Sequence, residues 1–110
     1  MSLSASQRRC RLKRYEGRRT GHAIDVTVDG RPLNPRLDLW NHSPTGFEWG
    51  YGGSGPAQLA LALLADCLSD NTAVTWHQDF KSSVVAGLPR PGWILTEEQI
   101  RRAVESFRSP

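Results

Sequence analysis

Ile24, Val26 and Val28 alternate with Asp25, Thr27 and Asp29, the period of two that marks a strand buried on one face. Asp29-Gly30 follows at once and predicts a hairpin, because both central turn positions need φ > 0. Pro32 and Pro35 then restrict the returning strand to a short or edge piece. Residues 11–19 give a weaker strand, since Leu12 and Tyr15 miss strict alternation. Leu37 and Leu39 alternate again and predict a short strand over 36–40. Residues 41–46 are turn chemistry. Phe47, Trp49 and Tyr51 recur at spacing two, which predicts an extended segment with three aromatics on one face. Its other face carries Glu48, Gly50 and Gly52, bare enough for another backbone or a ligand to come close.

Beyond Tyr51 the period lengthens. Residues 57–68 are apolar on nearly every face, interrupted only by Gln58 and ending near Asp66, so a central buried helix is expected there. Ser54 or Gly55 is the expected cap, and Pro56 suits a first turn. Ser69-Asp70-Asn71 stops this helix and caps a second. Ala73, Trp76, Phe80 and Val84 set the buried stripe of that second helix, which runs to about Val85. Residues 87–92 hold two prolines and read as a loop, followed by a short extended piece at Trp93-Ile94-Leu95. Thr96 and Gln99 form a capping box for a last helix. Its buried stripe is Ile100, Ala103, Val104 and Phe107, with Arg101, Arg102 and Glu105 outside. Strands followed mostly by helices predict an α+β fold. In it, a small antiparallel sheet of N-terminal strands and a hairpin packs against a buried central helix and two further helices.

Composition sharpens this outline. The 110 residues are 38% hydrophobic and 23% charged, with four Trp, which is globular rather than disordered chemistry with large apolar anchors for one core. Residues 1–10 are Ser-rich, basic and aperiodic, and read as a disordered tail before a single domain over 11–110. No apolar run reaches the ~20 residues of a membrane span. The polar, basic start lacks the apolar region of a signal peptide, so a cytoplasmic protein without a membrane partner is expected. Cys67 lies in the apolar helix and reads as a small buried hydrophobe, and with no secretory context Cys10 and Cys67 do not suggest a disulfide. The net charge of +3 is uneven: nine basic residues face three acidic ones through Arg36, and five face eight thereafter.

Three chemistries compete for the glycine-rich stretch. Gly50, Gly52 and Gly55 match G-x-G-x-x-G, but a dinucleotide site needs a second strand where residues 70–80 read as helix. A phosphate loop needs Lys then Ser or Thr where Pro56-Ala57 stands. A nucleophile elbow needs a glycine where Pro56 stands, although Ser54 with His77 and an acid is a triad that spacing alone does not exclude. Backbone needs account for the loop most simply: the glycines allow a tight entry into the helix and close packing.

His22, His42 and His77 show no paired spacing and no CxxC accompanies them, so neither a metal nor another cofactor is implied. His77 reads as a hydrogen-bonded residue at a helix boundary and His42 as a turn residue. The basic front is the most functional-looking charge feature. Arg8, Arg9, Arg11, Lys13, Arg14, Arg18 and Arg19 would bind phosphates through counterion release, though Tyr15 alone offers stacking among them. A solvated basic tail is the plainer reading.

Residues 46–66, GFEWGYGGSGPAQLALALLAD, together with Tyr15-Glu16-Gly17, Asp29-Gly30, Phe80-Lys81 and the Trp93 segment, resemble a domain-of-unknown-function family of small bacterial, archaeal, phage and plasmid proteins. The resemblance spans about residues 12–107 and carries no catalytic residue. It implies a cytoplasmic accessory protein of mobile-element type, with host takeover or counter-defence as its setting. Three functions are expected in order. The first is a non-enzymatic interaction module presenting Glu48, Gly50, Gly52, Gly53, Ser54 and Gly55, or the sheet edge, to a protein partner. The second is nucleic-acid binding through the basic front. The third is a small hydrolase or transferase using Ser54 and His77. The sequence leaves the oligomeric state open.

Overall fold

The computed structural model describes residues 13–108. Residues 1–12, and with them Arg8, Arg9, Cys10 and Arg11 and the proposed tail, lie outside the described residues. The chain begins with β1 (Arg14–Thr20), β2 (Ala23–Val28) and β3 (Arg31–Pro32). Helices α1 (Ser54–Cys67) and α2 (Asp70–Ser83) follow, then a 3-10 turn at Val85–Gly87. Strand β4 (Gly92–Thr96) leads directly into α3 (Glu97–Arg108). The sheet is antiparallel throughout, in the order β3-β2-β1-β4. The expected α+β fold is therefore present, with the fourth strand supplied from the C-terminal part of the chain.

Asp29 and Gly30 take φ of 51° and 82°, as the β2–β3 hairpin requires. Pro32 pairs with Thr27 at a position whose N–H would face away from β2, so its lack of one costs no bond there, and the Leu33 N–H still donates to the Val26 carbonyl at 3.0 Å. Ser69 caps α2 by accepting from the Thr72 N–H at 3.1 Å. Thr96 and Gln99 complete the capping box of α3: Thr96 N–H donates to Gln99 Oε1 at 2.8 Å and Gln99 N–H to Thr96 Oγ1 at 3.2 Å.

One buried cluster joins Tyr15, Val26, Trp93 and Leu95 of the sheet to Leu59, Leu61, Leu63 and Leu64 of α1, Phe80 of α2, and Ile100 and Val104 of α3. Helix α1 is buried from Gly55 to Leu64 without a break, which is why its sequence shows almost no polar face. Its far end is tied to the sheet by Tyr15, whose hydroxyl donates to Asp66 at 2.7 Å. Burial and that bond together hold the phenol proton far above its usual pKa. Cys67 is buried as expected, and burial pushes its thiol up to about 11.

Three expectations fail. The strand over 36–40 is a turn. Arg36 takes φ 56°, and its guanidinium binds Asp38 and Asp70 bidentately at 2.9–3.0 Å, so the chain bends onto the start of α2. The aromatics at 47, 49 and 51 do not share a face: Trp49 is fully buried and Tyr51 is exposed. Gly50, at φ 89°, breaks the alternation between them. Ser54 does not cap α1. The helix starts one residue earlier, on Gly53, whose carbonyl accepts from Ala57 N–H at 3.0 Å.

Candidate functional site

The buried polar residue of α1 organises the surface above it. Gln58 is wholly buried, yet all four hydrogen-bonding positions of its amide are used. Its Oε1 accepts from the N–H groups of His42 (2.7 Å) and Ser43 (3.0 Å). Its Nε2 donates to the carbonyls of Pro35 (2.6 Å) and Trp40 (3.0 Å). One side chain thus fixes both ends of the irregular segment 35–43, which has no ladder of its own. Ser43 Oγ adds a bond to the Gly46 carbonyl at 2.7 Å.

This loop brings His42 onto His77 of α2, with the two Nε2 atoms 2.9 Å apart. His77 is 1% exposed, and its Nδ1 faces the carbonyls of Ala73 (2.9 Å) and Val74 (3.2 Å). Carbonyls only accept, so Nδ1 carries a proton. In the neutral ring Nε2 then accepts from His42 Nε2–H. Burial, then the charges of His77 and Lys81, hold His42 below the ordinary imidazole pKa. Trp40 closes the cluster, stacked on His42 with ring centroids 4.9 Å apart and planes 13° apart, and tilted against His77 at 5.2 Å.

Trp40 remains 47% exposed. The turn that carries it runs along α2, anchored at one end by Arg36 on Asp70 and at the other by Trp40 on His77. Between those anchors lie Leu37 and Val74, both exposed. Three exposed apolar side chains thus belong to two segments pinned together at both ends. The sequence singled out neither Trp40 nor Gln58. The signal for Gln58 was present: it is a lone amide in an otherwise apolar helical run.

The glycine-rich loop divides. Glu48 faces inward to Arg19, which binds it bidentately at 2.8 and 3.1 Å and lies over the Trp49 ring at 4.8 Å. The Arg19 bonds hold the Glu48 carboxyl below its usual range. Gly55 is buried against Glu48, and a Cβ there would meet the Glu48 Cβ at 2.7 Å, so close packing dictates this glycine. Gly50 lies beside Arg90, and Gly53 under the Tyr51 ring. Tyr51, Gly52 and Ser54 are exposed. The bonds of the His77 ring run to Ala73, Val74, His42 and, at 3.5 Å, Gln78; none joins Ser54 to it.

The basic front is largely neutralised where it is described. Lys13 pairs with Asp66 at 3.4 Å, Arg18 with Glu16 at 3.1 Å and Arg19 with Glu48. Strand alternation also splits the set, placing Arg14 and Arg18 on the open face of β1 and Arg19 on the core side. Among the described residues no group of three or more His, Cys, Asp or Glu is placed to hold a metal ion. No helix among them is long and apolar enough to cross a membrane.

The model of one protein family matches residues 15–106 and is described as a family of unknown function (DUF6166). The chain belongs to that family. No curated protein and no solved structure matches the chain.

Proposed function

We propose that this member of the family is a non-enzymatic interaction module that presents Leu37, Trp40 and Val74 to a protein partner. The observation behind the reading is Trp40 itself. A half-exposed indole is held by a stack on His42 and by the Gln58 bond to its own carbonyl, so little side-chain freedom is left to lose on binding. Rigid aromatic anchors of this kind dominate interface energetics. Catalysis has less support. The imidazole pair is occupied with its own hydrogen bond, and Ser54 is not bonded to it. An accessory protein of mobile-element type, acting in host takeover or counter-defence by occupying the surface of a host protein, is the wider role this reading supports.

The test places photo-crosslinking residues at Leu37, Val74 and Gly52 in turn, with and without Trp40→Ala. The expected result is one identified partner, crosslinked from positions 37 and 74 and lost with Trp40→Ala while the fold persists by circular dichroism. Crosslinks from position 52 alone would overturn the Trp40 surface in favour of the exposed loop at Tyr51, Gly52 and Ser54. Crosslinks indifferent to Trp40→Ala would overturn it outright.

A further inference from the structure

The two edges of the sheet are unlike. The β3 edge is two residues long and consists of Arg31 and Pro32, the charge and proline that discourage further strand pairing. The β4 edge is five residues long, Gly-Trp-Ile-Leu-Thr, with neither charge nor proline. The ladder shows which of its groups are free. Glu97 N–H donates to the Lys13 carbonyl at 3.0 Å, and Arg19 N–H to that of Pro91 at 3.1 Å. Hydrogen-bonded and non-hydrogen-bonded pairs alternate in an antiparallel ladder. Tyr15–Leu95 and Gly17–Trp93 are therefore the bonded pairs between these points. The N–H and C=O groups of Gly92, Ile94 and Thr96 point away from β1. Thr96 N–H is taken by Gln99; those of Ile94 have no partner among the described residues. The Ile94 side chain is 48% exposed on the open face of the sheet.

We infer that β4 pairs antiparallel with β4 of a second copy of this chain, joining two sheets into one of eight strands about a twofold axis at Ile94. The edge is self-complementary there. Ile94 donates to and accepts from its own counterpart, and the two exposed side chains pack side by side, as directly opposed residues do. The same register sets Gly92 against Thr96, where the Gly92 N–H meets the Thr96 carbonyl while the Thr96 N–H stays with Gln99. Two residues beyond the strand at each end, antiparallel pairing puts the turn that carries Arg90 beside the first turn of α3 of the second copy, which carries Glu98, twice by symmetry. Both are exposed, and Glu98 is already held at the surface by Arg102 at 3.1 Å. Opposite charges at both ends of an uncharged strand favour a second copy of this chain, in this register, over an unrelated peptide. This surface is separate from that of Trp40.

Sedimentation of the full chain from about 1 µM to about 1 mM, a range set by weak self-association, tests the inference. The expected result is a monomer–dimer equilibrium in which the Ile94 amide gains hydrogen-exchange protection as the dimer forms. Ile94→Lys sets like charges on the axis and should weaken the dimer at least about tenfold. Arg90→Glu and Glu98→Arg should each weaken it by about fivefold or more, and the double reversal should restore it. Thermal melts of each variant separate misfolding from lost pairing, and the charge reversals stand if Ile94→Lys fails to fold. A monomer at every concentration would overturn the inference, as would a dimer that both kinds of variant leave unchanged.

Discussion

Gly17→Ala probes the tightest constraint in the sheet. Gly17 is buried in the central strand directly opposite Trp93. A Cβ at this position would lie 2.6 Å from Trp93 Cζ2 and closer still to Cε2 and Nε1. Restoring an ordinary carbon–carbon contact requires the indole to retreat by about 1 Å. It has nowhere to go: Trp93 is 6% exposed and packs edge-on against Trp49 at 5.6 Å and 90°. Trp49 is itself fixed by its N–H, which donates to the Pro89 and Arg90 carbonyls at 2.9 and 3.1 Å. Overpacking of this kind costs about 1–3 kcal/mol, and disturbing the aromatic pair adds about 0.5–1.5 kcal/mol. The lower chain entropy of alanine returns roughly 0.5–1 kcal/mol. A net loss of about 0.5–4 kcal/mol, centred near ~2 kcal/mol, follows, a sizeable share of the ~5–15 kcal/mol of a small domain. Urea unfolding followed by far-ultraviolet circular dichroism should show the midpoint falling by about 1–2 M. Trp93→Leu should cost less in the Gly17→Ala background than in the wild type, because the clash is then absent. A Gly17→Ala midpoint within error of wild type, or strictly additive costs, would refute the reasoning.

Gln58→Leu keeps the volume of the residue but strands two buried N–H and two C=O groups. The expected destabilisation is about 2–4 kcal/mol, with amide exchange of His42 and Ser43 rising far more than that of α3; uniform loss of protection would argue against a local role. His42 is held below its ordinary pKa, so the folded state binds a proton less readily than the unfolded chain. The stability this contributes is complete above the ordinary histidine value of about 6.5 and is lost as pH falls toward the depressed folded value. His42→Gln should flatten the pH dependence of the melting temperature below about pH 6.5, and an unchanged slope would count against the burial of this ring. The Cys67 thiol, raised to about 11 by burial, should resist alkylation at neutral pH until urea unfolds the chain, as read by peptide mass mapping. Rapid native labelling of the Cys67 peptide would contradict its packing.

The sequence by itself determined the elements whose physics is local. The alternation at Ile24, Val26 and Val28, the Asp29-Gly30 turn, the uniformly apolar α1, the Ser69 cap and the Thr96–Gln99 capping box depend on neighbours within a few residues, and each is where the pattern placed it. Where a distant group decides, the pattern misled. Leu37 and Leu39 alternate like a strand, but Arg36 finds Asp70, 34 positions away, and the segment becomes a turn. Phe47, Trp49 and Tyr51 are spaced like one face, but Gly50 turns the chain and only Trp49 is wholly buried. The basic front reads as one charged cluster, yet Asp66 and Glu48 neutralise Lys13 and Arg19 from across the fold. The candidate site belongs wholly to this second class. Trp40, His42, Gln58 and His77 are spread over 38 positions with no spacing rule. They meet because a buried amide must satisfy four hydrogen bonds, and the backbone groups it uses belong to the loop that carries the indole and one imidazole. Composition dictates how much must be buried, but only the tertiary structure decides which distant polar groups satisfy one another once it is.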